Sequence, residues 1–173
     1  MTAEIYWISG LESGRLAILG RPRAGDWLDD EIADWRSAGV TDIVSLLEDH
    51  EMRELGLTQE GEVAVALTSA LSDFRSRIVA CQLLFEPRMP CGVISPRRYA
   101  RGRASAFHCR AGIGRSGLIV AGTLVQLGTP GHEAWDRTAR SRGIPVPDTE
   151  QQKDWLDRAF PTRVERRLEG PDL

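Results

Sequence analysis

Apolar residues in the first third of the chain follow two spacings, one typical of strands and one typical of helices. Short apolar runs indicate strands, whereas Leu28, Ile32 and Trp35 recur at the three-to-four-residue spacing of a helix. Asp26 stands where a helix cap is expected, and Gly39 where that helix would end. The pattern predicts strands at 5–8 and 15–19 that form a hairpin, a helix at 26–39, a buried strand at 40–47 and a short helix at 48–57.

The last third of the chain follows the same two spacings. A short strand ends at His108, and a glycine-rich loop comes directly after it. Asp148 and Thr149 are both suitable caps for a final helix. The pattern predicts an apolar helix at 116–127, an amphipathic helix at 132–142, a last helix that carries Trp155, Leu156 and Phe160, and a charged tail at 161–173 that frays.

Strands that alternate with helices indicate the fold class. We expect an α/β fold, a single domain over 1–173 in which a central, mostly parallel sheet is flanked by helices. A chain of 173 residues with 42% hydrophobic content is long enough for one such core.

Charge and composition narrow the function classes. The formal net charge of −3 gives no general reason to expect nucleic-acid or membrane partners. The first ten residues lack a secretory signal, and no apolar run approaches the ~18 residues of a membrane span. Cys81 and Cys91 lie in no reactive setting, and cysteines without a secretory signal fit a reducing compartment, so we expect a cytoplasmic protein. No metal-ligand spacing is present, so we expect neither a metal nor a cofactor.

The loop at 108–117, HCRAGIGRSG, carries the chemistry. Cysteine alone is often a small buried hydrophobic residue, but Cys109 stands between a strand end and a helix start, where backbone N–H groups and the helix dipole favour a thiolate. A thiolate can attack a phosphate monoester and form a phosphocysteine that water later cleaves. Cys109 is therefore the predicted nucleophile.

The other loop residues complete a predicted phosphate cradle. Arg115 offers a planar fork for two phosphoryl oxygens, and Ser116 can donate its hydroxyl to the sulfur. His108 is expected to bond loop carbonyls and, with Gly117, to support the loop. The glycines let consecutive amides face one anion. The predicted phosphate-binding residues are Arg110, Ala111, Gly112, Ile113, Gly114 and Arg115.

With this loop, the chain resembles the protein tyrosine phosphatase superfamily, specifically its compact dual-specificity branch and bacterial relatives of the cyclin-dependent-kinase-inhibitor-3 type. The likeness covers 14–57, through GRLAILGRPR and VSLL, and 107–160. It implies a phosphotyrosine phosphatase-like fold and a glutamine that positions the hydrolytic water. Gln152 is the first choice for that glutamine and Gln151 the second, with a surface or capping role as the alternative for either.

The resemblance also bears on the substrate. Inositol-lipid phosphatases of this superfamily tend to carry lysines inside the loop, where this chain has Ala111 and Ile113. We therefore expect a phosphorylated protein or peptide as substrate, with phosphotyrosine first and phosphoserine or phosphothreonine as well. Two alternatives stay open: a phosphate-binding pseudophosphatase, and a phosphatase of nucleotides, RNA 5′ ends or inositol phosphates.

One expected feature of the resemblance is missing. Such phosphatases carry a general-acid aspartate roughly 30 residues before the cysteine, and this chain has none in a suitable loop. Asp73 is the nearest substitute, with Glu86 behind it. A DNA sequence can be chosen that encodes 74–82 and that, when it is read from its third base, encodes Pro-Ile-Pro-Asp-Arg-Gly-Val-Pro, an acid loop of the missing kind. We therefore hypothesise that 67–103 is frame-shifted and that activity is impaired.

Overall fold

The computed structural model of the chain describes residues 4–67, 75–78, 99, 101–147 and 149–159, with the backbone alone at 75–78 and 157–159. The strands are β1 Ile5–Trp7, β2 Arg15–Leu19, β3 Asp42–Ser45, β4 Arg75–Ile78 and β5 Ala104–His108. The helices are α1 Leu28–Ser37, α2 Asp49–Glu54, α3 Glu60–Ala66, α4 Gly114–Gln126, α5 Gly131–Arg142 and α6 Glu150–Ala159, with a 3₁₀ turn at Gly25–Trp27.

The five strands form one sheet in the order β1-β2-β5-β3-β4. β1 pairs antiparallel with β2, and the other neighbours are parallel. The predicted hairpin and the predicted mostly parallel sheet are thus confirmed. In the register, His108 is paired with Leu19 on one side and with Ser45 on the other, so three strands end in one row.

Helices pack on both faces of the sheet. Successive side chains of a strand point to opposite faces, and every residue of β5 is buried because both faces are covered. Phe107 belongs to the core that contains Val120 and Leu124 of α4. Ala106 belongs to the core that contains Ile32 and Trp35 of α1. Chain segments on both faces therefore hold β5 in place.

Some predicted helix boundaries are wrong. Asp26 lies in the 3₁₀ turn, and α1 begins at Leu28 without a side-chain cap. α2 instead has a capping box, in which the side chains of Glu48 and Glu51 each accept a hydrogen bond from the other's backbone N–H. For α6, the Thr149 hydroxyl accepts a 3.3 Å hydrogen bond from the Gln152 N–H, as a cap would.

Several predictions concern residues outside the described ones. These are Asp73, Glu86, Cys81, Cys91, most of the 67–103 stretch, Asp148, Phe160 and the tail at 161–173. Within the described ranges, no helix combines the length and apolarity that crossing a membrane requires.

Candidate active site

Cys109 is the first residue after β5 and is almost completely buried. The parallel pairing continues one residue past β3, since the Leu46 N–H donates to the His108 carbonyl at 2.9 Å. Residues that follow β3 therefore lie beside the thiol, although they precede it by more than fifty positions.

The surroundings of the Cys109 thiol favour the thiolate. Burial raises the pKa of this thiol, but hydrogen bonds from the Ser116 hydroxyl and from the backbone N–H groups of Ser116, Ile113 and Ala111 outweigh burial, and the net shift is downward. The Ser116 hydroxyl is buried and has no nitrogen or oxygen partner among the described residues, so its proton is available to the sulfur. Three amides and one hydroxyl thus converge on a single atom.

Gly112 lets the loop lie directly against the end of β2. Its φ is +66°, in the left-handed region that glycine favours. A Cβ added there would lie 2.8 Å from the Leu19 carbonyl carbon and nearer still to its oxygen, inside van der Waals contact. The sequence predicted a glycine for amide access; the structure adds close backbone packing as a second reason.

Arg115 lies in the first turn of α4, and its guanidinium is fixed by two groups that follow β3. It donates to the Leu46 carbonyl at 2.9 Å and to both carboxylate oxygens of Glu51, one of them at 2.6 Å. The hydrogen bonds from Arg115 lower the pKa of Glu51 to about 2. Glu51 is therefore ionised at neutral pH and orients the guanidinium through a bidentate pair.

Arg110 forms a second bidentate pair, with a glutamate of α2, the helix that also carries Glu51. Its guanidinium donates to the two carboxylate oxygens of Glu54 at 2.7 and 3.2 Å. This pair is about half exposed, whereas the pair formed by Arg115 and Glu51 is mostly buried. α2 thus contacts both charged side chains of the loop.

The expectation for His108 is wrong. Its Nε2 lies 2.6 Å from Oε1 of Glu60 in α3, and its Nδ1 has no hydrogen-bond partner among the described residues. Both side chains are fully buried, and the ring of Trp35 lies 5.9 Å from the imidazole. His108 therefore connects β5 to α3 below the loop and bonds none of the described loop carbonyls.

Arg142, at the end of α5, bonds the carbonyls on the outer side of the loop. Its Nε donates to the Gly112 carbonyl at 2.9 Å and a terminal nitrogen donates to the Ala111 carbonyl at 3.3 Å. Its guanidinium also lies 4.0 Å from the centre of the Tyr6 ring, within cation–π distance. The two carbonyls accept their hydrogen bonds from Arg142, whereas the loop N–H groups donate to the sulfur.

The remaining predicted residues are placed less specifically. Gln152 lies half-buried in the first turn of α6, and Gln151 beside it is exposed. α6 packs against α4, anchored by the buried side chains of Trp155 and Leu156. Gly117, in α4, lies against Val146, whose Cβ would be 3.4 Å from an added Cβ.

Sequence reasoning missed Glu51, Glu54, Glu60 and Arg142. A usable signal existed for the first two, because parallel neighbouring strands end at the same sheet edge and α2 begins soon after β3. Two glutamates three positions apart share a helix face and were available to two arginines of the loop. Glu60 and Arg142 gave no comparable signal.

Several solved phosphatase structures resemble this chain. Kinase associated phosphatase (KAP), solved with its catalytic-site cysteine replaced by serine, is 16% identical, with a TM-score of 0.71 over 100% of this chain and 99% of that one. Human DUSP28 is 16% identical, with a TM-score of 0.56 over 84% and 87% of the two chains. PTPMT1 in complex with PI(5)P is 18% identical, with a TM-score of 0.55 over 88% and 94%.

These similarities establish the fold: the chain folds as protein tyrosine and dual-specificity phosphatases do. No protein-family model and no curated protein sequence matches the chain. At identities of 14–20% the substrate and the chemistry have to be argued from the residues themselves.

Proposed function

We propose that this protein is a cysteine-dependent phosphatase that hydrolyses phosphate monoesters on proteins or peptides, phosphotyrosine foremost and phosphoserine or phosphothreonine as well. The observation that carries the proposal is the buried Cys109 thiol, whose pKa is lowered by three backbone N–H groups and a serine hydroxyl. A structural cysteine gains nothing from such donors, whereas a nucleophile that must accept a phosphoryl group needs them.

In the proposed first step, the thiolate of Cys109 attacks phosphorus. The S–P bond forms, the bond between phosphorus and the substrate oxygen breaks, and the leaving oxygen takes a proton from a general acid. The loop amides and the Arg115 guanidinium stabilise the negative charge that spreads over the phosphoryl oxygens. Glu51 supports this role by fixing the guanidinium from behind.

In the second step, water attacks the phosphocysteine, the S–P bond breaks and inorganic phosphate leaves. Ser116 assists because a hydroxyl that donates to the sulfur stabilises the departing thiolate. Gln152 is our candidate for orienting the water, since it lies half-buried at the start of a helix that packs against α4.

Asp73 is proposed as the general acid in the chain as written. If no acid operates, turnover of substrates with poor leaving groups falls by about 100- to 10,000-fold. In that case p-nitrophenyl phosphate, whose good leaving group needs little protonation, should be hydrolysed faster than a phosphotyrosine peptide. Equal rates for the two would contradict a missing acid.

The loop composition supports a protein substrate over a lipid one. Ala111 and Ile113 stand where lysines would favour polyanionic inositol lipids. The fold alone decides nothing here, because a resembling structure was solved with PI(5)P. A free cysteine nucleophile suits a reducing compartment, and we propose a cytoplasmic site of action.

The first test is p-nitrophenyl phosphate hydrolysis with Cys109→Ser as the inactive variant. Activity should be inhibited by vanadate, unaffected by chelators and absent in Cys109→Ser. Turnover that persists in this variant would refute the proposal. Tight vanadate or phosphopeptide binding with no turnover in the unmodified protein would identify a phosphate-binding pseudophosphatase instead.

A matched pair of variants tests the role of Arg115. Arg115→Lys removes the bidentate fork and should lower kcat/KM by about 100- to 1,000-fold. Arg103→Lys is the control, because Arg103 forms a similarly buried bidentate pair with Asp42, at 2.6 and 3.0 Å, at the opposite end of β3 and β5. This control should lose stability and keep activity; equal activity losses would contradict the assigned role.

A further inference from the structure

The two charged side chains of the loop differ in how firmly α2 binds them. Within 109–117 only Arg110 and Arg115 are charged, and each pairs with one glutamate of α2. The side chains of Arg115 and Glu51 are 21% and 10% exposed, against 49% and 55% for Arg110 and Glu54. The inner pair is therefore part of the site's structure, while the outer pair lies at its rim.

Arg110 directly follows the cysteine and is about half exposed, so its side chain places a positive charge at the rim of the loop. Glu54 neutralises that charge through two hydrogen bonds, at 2.7 and 3.2 Å. The pairing lowers the pKa of Glu54 and raises that of Arg110, so both remain ionised at neutral pH. The rim next to the loop consequently offers little net positive charge to a substrate.

The rest of α2 strengthens this effect. Residues 48–54 contain four acids against one arginine, Arg53, and His50 lies 3.1 Å from a carboxylate oxygen of Glu48. A second anionic group on the substrate would approach this net acidic helix, and Arg110 beside it is already paired with Glu54. Such a group gains little from Arg110 unless it displaces Glu54.

We infer that Glu54 is a specificity-determining residue: by neutralising Arg110, it makes the site discriminate against phosphopeptides that carry a second phosphate within two residues of the scissile one. This inference rests on the proposed function for its substrate class. An exposed ion pair contributes little to stability, so removing Glu54 should leave the fold intact while releasing Arg110.

The test compares a phosphotyrosine peptide with a twin that carries a second phosphate two residues away. In Glu54→Gln, kcat/KM for the doubly phosphorylated peptide relative to its twin should rise about two- to fivefold at low salt, and less at high salt. In the double variant Glu54→Gln, Arg110→Gln the gain should vanish. A purely structural role for Glu54 would alter both peptides alike.

Glu62→Gln is the matched control. It removes the same charge from the exposed face of α3, where Glu62 has no ion pair among the described residues. This variant should leave the preference unchanged. An equal shift in Glu62→Gln, or none in Glu54→Gln, would overturn the inference.

The same peptide pair is also measured for binding in a Cys109→Ser background. A shift in binding preference without turnover in any variant would support the inference and refute the proposed hydrolysis. Turnover without a shift in preference would refute the inference alone. Failure of both peptides to bind or to be hydrolysed would refute both.

Discussion

Replacing Gly112 with alanine tests whether the loop needs close contact with the neighbouring strand. The left-handed φ of +66° costs an alanine about 1–2 kcal/mol. The new methyl would also lie 2.8 Å from the Leu19 carbonyl carbon, where ordinary contact begins at 3.4 Å. Such overpacking costs about 1–3 kcal/mol more, because Leu19 is fully buried between two strands.

Gly25→Ala is the matched control for this substitution. Gly25 has the same φ of +66°, is exposed, and would place a Cβ with nothing within 4 Å. It therefore carries the conformational cost without the collision. The difference between the two variants isolates the contact with β2.

Urea unfolding and p-nitrophenyl phosphate kinetics measure the two effects. We expect Gly25→Ala to lose about 1–2 kcal/mol with unchanged kcat/KM. Gly112→Ala should lose about 2–5 kcal/mol and, because the loop must shift by roughly 1 Å, about 100-fold in kcat/KM. Equal stability losses, or full activity in Gly112→Ala, would refute the close packing as a requirement of the site.

Three further outcomes are expected. Glu60→Ala should lower the free energy of unfolding by about 3–5 kcal/mol, because it leaves His108 buried without its hydrogen-bond partner. In urea unfolding, the loss in the double variant Glu60→Ala, His108→Ala should differ strongly from the sum of the two single losses. Ser116→Ala should raise the pKa of Cys109, so that the pH profile of iodoacetamide alkylation, which reports the thiolate, moves to higher pH; an unmoved profile would contradict the hydroxyl's contribution. Arg142→Met should weaken vanadate binding about 10-fold, because two loop carbonyls lose their hydrogen-bond donor. Arg140→Met is the control: Arg140 is exposed on the same helix, and its replacement should leave vanadate binding unchanged.

The sheet and the helices could be predicted because their signals are local. The hairpin at 5–8 and 15–19 and the helix built on Leu28, Ile32 and Trp35 follow from the spacing of apolar residues. Helix starts were less predictable: Asp26 is a good cap by type, yet the chain uses a 3₁₀ turn there. Local competition between turn types is not visible in the hydrophobic pattern.

The site was predictable only where its residues are contiguous in sequence. The residues of the loop at 108–117 are contiguous and form a recognisable motif, but the groups that support the loop lie 30 to 69 residues away, as Arg142 and the Leu46 carbonyl do. For His108, residue type suggested a bond to the loop, whereas complete burial requires a hydrogen-bond partner, which α3 supplies through Glu60.

Leu46 has one backbone group in the sheet and one in the site. Its N–H donates to the His108 carbonyl, and its own carbonyl accepts from Arg115. Through its two flanking peptide groups, this single residue transmits the alignment of β3 and β5 to the position of the guanidinium. Slippage between those two strands would misplace this cation before the molecule lost its secondary structure, so loss of activity on heating should precede loss of the far-ultraviolet circular dichroism signal.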